Sequence, residues 1–198
     1  MSETLSPALP DLRPALEHAL EVVDSLVRPA AESDLDGRTP CDDFALRDLL
    51  GHLLTVANRV RIVLDGGHFG EVPHVTVVPD AERLEAWSRA VESLRDTLPG
   101  VDLARPVTAP FGTVPAAAAI ASYVGELTTH AWDVAVTIDR RDLLDPDLAA
   151  PVLATVHQRI PAEGREELPF GPVVNVPDDA PVYDRLVGWM GRDPAWTA

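Results

Sequence analysis

The sequence predicts an all-α protein, an up-and-down four-helix bundle with a short, mostly helical C-terminal extension. Four stretches repeat apolar residues at steps of three and four positions, which is the period of a helix with one buried face. Proline and glycine residues separate these stretches. The 198 residues, 46% hydrophobic and 24% charged, can bury a core large enough to fold without disulfides or a structural metal. Helices that each carry one apolar face are expected to pack together as a bundle.

Local signals set the expected limits of the four bundle helices. In chain order, these helices are predicted over residues 9–27, 42–64, 80–98 and 113–138. Asp42 or Asp43 caps the second helix, and the Gly66-Gly67 pair ends it. Pro115 falls in the first turn of the fourth helix, where a missing N–H costs nothing.

The pattern changes beyond residue 140. There we expect a helix over residues 145–160, a loop with one short strand at 173–176, and a last helix over 181–190. The sequence therefore predicts a single domain over residues 1–198, in which a bundle at about 9–140 carries an extension at 141–198.

Charge and composition exclude several classes of function. Sixteen basic residues, all arginine, stand against thirty-two acidic ones, and the net charge of −16 would repel nucleic acid and anionic membrane surfaces. Without lysine, Schiff-base chemistry and a P-loop lysine are excluded. The single cysteine excludes an internal disulfide and any multi-cysteine metal site. The N-terminus has no long apolar run, so we expect a cytoplasmic protein with no nucleic-acid or membrane partner.

The fourth predicted helix carries two side chains at metal-ligand spacing. Glu126 and His130 lie four residues apart, hence one turn apart on one face at the flank of the apolar stripe. At about 100° of rotation per residue, His52 also falls on the inward side of its helix, the second one. Two imidazoles and a carboxylate suit Zn²⁺ or a similar divalent ion and leave one coordination position open. The spacing alone also allows a surface Glu126 paired with an arginine and two ordinary histidines.

Four other polar residues are expected to have mainly structural roles. Cys41 lies eleven residues before His52, about 16 Å along a helix, so it is expected not to share a metal with it. The sequence leaves open whether Asp133 orients a ligand or caps a turn. Arg192 and Asp193 are expected to pair locally.

Three ordered motifs resemble one family. TPCDDFALRDLLGHLL, residues 39–54, resembles the T-P-C-x-x-[WF]-x-[VL]-R-D-L-L-x-H-L signature of the mycothiol-dependent maleylpyruvate isomerase N-terminal domain, within the DinB-like metal-binding superfamily. ELTTHAWDVAVT, residues 126–137, resembles the E-x-x-x-H-x-W-D-x-A segment of the same proteins. GRDPAW, residues 191–196, is similar to the ending of a compact actinobacterial metal-binding subgroup.

The resemblance implies a DinB-like bundle that holds a divalent metal, usually zinc, through His52, Glu126 and His130. It also implies mycothiol as a co-substrate. The leading functional hypothesis is a metal-dependent S-transferase for mycothiol or another low-molecular-weight thiol, with a thiol and an electrophile as its small-molecule partners. A coordinated thiol loses its proton and becomes a nucleophile at neutral pH.

Other functions stay open beside this one. A metal-binding sensor or partner-binding module would use the same ligands without turnover, and a metal-assisted hydrolase would use bound water instead of a thiol. Maleylpyruvate isomerase activity is the least favoured, because residues 141–198 are shorter than the C-terminal domain that those isomerases add. The sequence leaves the oligomeric state open, a homodimer included.

Overall fold

The computed structural model describes residues 10–198 and is mostly helical, which confirms the all-α prediction. Its helices are α1 (Arg13–Ala31), α2 (Leu46–Asp65), α3 (Arg83–Thr97), α4 (Ala116–Thr137), α5 (Pro146–Arg159) and α6 (Val182–Trp189). One antiparallel hairpin, β1 (Pro106–Ala109) and β2 (Gly112–Pro115), precedes α4. Leu9, where the first helix was expected to begin, lies outside the described residues.

The four long helices surround one apolar core. Helix α1 packs against α3 and α4, and α2 packs against the same two helices. Their inward faces are fully buried, as at Leu16, Leu53, Leu94 and Leu127. The pair α5 and α6 packs on itself and against α4, so the extension lies on the outside of the helix that carries Glu126 and His130.

The second helix begins later than predicted. It starts at Leu46, and neither Asp42 nor Asp43 caps it. Instead the Asp48 carboxylate accepts a hydrogen bond from the Ala45 backbone N–H at 3.1 Å. The residues before Leu46 therefore form turns, which changes where Cys41 lies.

Two strand predictions were wrong. No strand was expected before α4, but residues 106–115 form the hairpin, so α4 starts at Ala116 rather than Thr113. Conversely, no strand forms at residues 173–176. There the Val174 N–H donates to the Gly188 carbonyl of α6 at 2.9 Å, so a helix end takes the place of a partner strand.

Within residues 10–198 no helix has both the length and the apolar character needed to cross a bilayer. The division into a bundle at 9–140 and an extension at 141–198 within one domain stays a prediction.

Candidate metal centre

The three side chains singled out from the sequence come together at the contact between α2 and α4. His52 lies on α2, and Glu126 and His130 lie one turn apart on α4. One possible ligand atom from each lies within 4.8 Å of the others. His52 is 4% exposed, whereas the Glu126 side chain is 28% exposed, so the cluster lies at the rim of the core with one side open to solvent.

The position of the proton on His52 follows from its two neighbours. Its Nδ1 lies 3.0 Å from the His74 backbone carbonyl oxygen, which can only accept, so Nδ1 carries the proton. In the neutral imidazole this leaves a lone pair on Nε2, which lies 3.2 Å from Glu126 Oε1. Two acceptors facing each other are unfavourable unless a proton or a cation lies between them. A divalent cation therefore fits this donor set.

As at His52, a neighbouring acceptor holds the Nδ1 proton of His130 and orients its ring; here the acceptor is the charged side chain of Asp133. Its Nδ1 donates to Asp133 Oδ2 at 2.8 Å, which leaves Nε2 free to act as a ligand. Asp133 is fully buried and accepts two further bonds from Arg192, from Nε at 3.2 Å and from Nη2 at 3.1 Å. Asp133 therefore orients a candidate ligand, and its own charge is compensated by the C-terminal segment. Arg192 pairs with Asp133 rather than with Asp193, which corrects the expected local pair.

The loop that contains His74 and Thr76 lies directly against α2, and this contact places the His74 carbonyl oxygen beside His52. The Thr76 N–H donates to the Gly51 carbonyl at 3.1 Å, and the hydroxyls of Thr76 and Thr55 lie 2.7 Å apart. A Cβ on Gly51 would lie 2.7 Å from the Thr76 carbonyl oxygen, so only glycine lets this loop lie so close to α2. The loop thereby brings His74 beside His52, with ring centroids 4.9 Å apart.

Burial and neighbouring charges have opposite effects on the pKa values of the ionisable groups in the cluster. Burial alone would raise the pKa of the Glu126 carboxyl, but the neighbouring His52, His130 and Arg59 lower it overall. Burial likewise opposes ionisation of Asp133, yet Arg192 and His130 hold its pKa far below the usual range. Burial lowers the pKa of His130, against the effect of Asp133. Both carboxylates are thus ionised at neutral pH, and His130 can serve as a neutral ligand.

The predicted separation of Cys41 from the cluster was wrong. Because α2 starts only at Leu46, Cys41 lies in a turn that folds back onto α4, and its Sγ is 3.3 Å from Asp133 Oδ2 and 3.9 Å from His130 Nδ1. Arg192 Nη2 lies 3.4 Å from the same sulfur. Cys41, His130 and Asp133 form a second set of possible ligands. The sulfur faces the outer nitrogen of His130, however, which is already bonded to Asp133.

Alkylation of Cys41 by iodoacetamide is expected to be slow in the native protein. Burial raises the pKa of its thiol to about 12, with the Asp133 carboxylate acting in the same direction. At pH 8 the reactive thiolate is then about a thousandfold scarcer than for a free thiol. Mass spectrometry of native and urea-unfolded protein measures both rates directly, since the chain has one cysteine. A native rate within tenfold of the unfolded rate would contradict this.

The other histidines lie away from the cluster and have partners of their own. His18 pairs with Asp145 at 2.9 Å, and His157 packs on Trp189 with ring centroids 4.2 Å apart. His68 caps a short 3₁₀ turn. The exception is His74, an exposed loop residue whose ring packs beside His52 on the outer side of the cluster.

Comparisons with known proteins give one family match and two relatives of similar length. The family model for the mycothiol maleylpyruvate isomerase N-terminal domain matches residues 16–135, a span that contains all three candidate ligands. Two uncharacterized proteins of Mycobacterium tuberculosis, MT0763 of strain CDC 1551 / Oshkosh and Rv0738 of strain H37Rv, are each 26% identical over 184 residues. The match covers 90% of this chain and 96% of each relative. No solved structure matches significantly.

Proposed function

Because the chain belongs to the mycothiol maleylpyruvate isomerase N-terminal domain family, we propose that it is a metal-dependent S-transferase that joins a low-molecular-weight thiol to an electrophile. The thiol that the family name supports is mycothiol. The metal ligands are His52, Glu126 and His130, and the metal is Zn²⁺. The observation that carries this proposal is the approach of His52 Nε2 to Glu126 Oε1 at 3.2 Å beside His130, with one possible ligand atom of each residue within 4.8 Å of the others.

The donor set supports zinc in a catalytic rather than a purely structural role. Zinc accepts imidazole nitrogen and carboxylate oxygen, and catalytic sites use three protein ligands with a fourth position left open. When bound, the ion would take up the thiol sulfur at that position and lower its pKa, so that the thiolate is the nucleophile at neutral pH.

The chain's own residues hold the ligands in place. The His74 carbonyl and the Asp133 carboxylate each accept the Nδ1 proton of one histidine, so both rings present Nε2 inward. Partners of this kind raise ligand basicity and fix ring orientation. Arg192 keeps the Asp133 carboxylate ionised and in place, which supports the proposal that residues 141–198 belong to the same domain as the bundle. A thiol held by the metal would release its proton to solvent, so no residue of this chain would need to act as a general base.

The proposal is tested by a conjugation assay with zinc-loaded protein, mycothiol or a simpler thiol, and a panel of electrophiles. Conjugation is expected only with metal bound, and Cys41→Ala is expected to keep the full rate because the Cys41 thiol is protonated at neutral pH. Loss of turnover in Cys41→Ala alone would make the protein's own thiol the nucleophile. Stoichiometric zinc without turnover for any thiol would overturn the transferase and leave a metal-binding module.

Removal of the metal is expected to leave the fold intact. The core of α1 to α4 consists of buried apolar side chains, and a chain of this size does not need a metal to fold. Circular dichroism after chelation should show the same helical signal as the metal-loaded protein. Cooperative loss of the helical signal on chelation would make the metal structural.

A further inference from the structure

Arg59 is a buried cation without an ionic partner among residues 10–198. It is 8% exposed, and within the described part of the chain its Nε has no hydrogen-bond partner and its Nη2 reaches only the Pro73 carbonyl oxygen, at 3.4 Å. Removing an unpaired charge from water is costly, so buried arginines are normally found with a carboxylate or another anion. A chain with a net charge of −16 offers many carboxylates, yet none pairs with Arg59 in the described part of the chain.

Tyr123 is the second unsatisfied polar group in this region. The residue is 1% exposed and its hydroxyl has no partner in the described structure. A buried hydroxyl without a hydrogen bond is uncommon, because its desolvation is not compensated. The phenol O–H is therefore a free donor, as is the Arg59 Nε–H.

Arg59 and Tyr123 both lie beyond the candidate metal centre, on the same side of it. Arg59 lies seven residues after His52 on α2, and Tyr123 lies seven residues before His130 on α4, so each is two turns, about 10 Å, along the same face of its helix. Cys41, which precedes α2, contacts Asp133, and His52 contacts Glu126, so α2 and α4 run antiparallel and both steps lead toward the same end of the helix pair. Burial and the Glu126 charge raise the pKa of the Tyr123 hydroxyl, whereas the Arg59 charge acts to lower it, which agrees with this placement.

We propose that Arg59 and Tyr123 form an anion-binding subsite that takes a carboxylate of the electrophilic substrate. A guanidinium presents a planar pair of N–H donors that matches a carboxylate, and the phenol supplies a third hydrogen bond. This inference rests on the proposed function, in which the thiol would bind to the metal. The subsite would then orient the electrophile by holding one of its carboxylates at the Arg59 end of the α2–α4 pair. It selects electrophiles that carry a carboxylate over neutral ones.

Succinate is a suitable probe, because it carries carboxylates but no thiol and no electrophilic carbon. Its affinity for zinc-loaded protein is measured by calorimetry, with zinc content determined on the same samples. Arg59→Gln and Tyr123→Phe are each expected to weaken succinate binding by about 10- to 100-fold, the loss of a hydrogen bond to a charged group. Both variants should keep one zinc per chain.

Matched controls remove the same groups elsewhere. Tyr183→Phe deletes another buried phenol hydroxyl, on α6, and Arg61→Gln deletes a charge on α2 that is paired with Asp65. Both should bind succinate as the wild type does. Unchanged succinate binding in Arg59→Gln, or no succinate binding by zinc-loaded wild type, would overturn the subsite while leaving the metal site standing.

The zinc content of each sample shows whether a negative result contradicts the anion-binding subsite or the proposed function. Loss of zinc in Arg59→Gln would mean that Arg59 serves to hold the Pro73 loop over the metal centre, and this too overturns the subsite. Absence of zinc from the wild type would instead contradict the proposed function itself.

Discussion

His130→Ala is expected to abolish stable divalent-metal binding. Loss of a residue that only supports a ligand costs about 10- to 100-fold in metal affinity, so loss of one of three direct ligands should cost more than about 100-fold. Elemental analysis after dialysis against a competing chelator should give one ion per wild-type chain and essentially none for the variant. His52→Ala should behave in the same way.

His18→Ala provides the matched control for this loss. His18 also lies on a long helix and pairs with a carboxylate, Asp145, but it has no third donor nearby in the described structure. Its replacement should leave metal content unchanged. Full metal retention by both His52→Ala and His130→Ala would contradict the ligand assignment.

Asp133→Asn is expected to affect both stability and metal affinity. The substitution keeps the shape of the side chain but removes the charge that compensates the buried Arg192 and accepts the His130 proton. Breaking a buried ion pair from one side costs about 3–5 kcal/mol of unfolding free energy. The loss of ring orientation should lower metal affinity by about 10- to 100-fold. Urea unfolding of metal-free protein measures the first effect, and chelator competition measures the second.

Asp193, which follows Arg192 in the chain, serves as the control for Asp133. Asp193 accepts a hydrogen bond from the Ala195 N–H at 2.9 Å and stabilises only a local turn, so Asp193→Asn should change stability by less than about 1 kcal/mol. Wild-type stability together with wild-type metal affinity in Asp133→Asn would show that the Arg192–Asp133–His130 chain does not support the site.

Helical periodicity predicts that each of the three candidate ligands points inward from its helix, and the family resemblance joins them into one ligand set. Glu126 and His130 are four residues apart on one helix, and His52 falls on the inward flank of another, so the rotation of each helix decides where they point. The family resemblance rests on the same positions, and the match over residues 16–135 confirms the family. Both inferences depend on short-range patterns, which can be read directly along the chain.

The surrounding residues could not be predicted, because their contacts are long-range or involve the backbone. Arg192 reaches Asp133 across 59 positions, and no local pattern favours that partner over the adjacent Asp193. The contact of His52 with the His74 carbonyl uses a main-chain atom, which any residue at position 74 would supply. Cys41 was misplaced because the helix was started too early, although Asp48, three residues after Ala45, is a capping signal that favours the later start.

The most direct test of the central claim is a thiol titration of protein loaded with Co²⁺, which replaces Zn²⁺ and reports its ligands by absorption. The account predicts that mycothiol produces a saturable sulfur-to-cobalt charge-transfer band, releases one proton for each thiol bound, and does so equally in Cys41→Ala. His130→Ala, which should hold no cobalt, should give no band. A wild-type protein that binds cobalt yet shows neither band nor proton release with any thiol would contradict the claim that its metal activates a thiol.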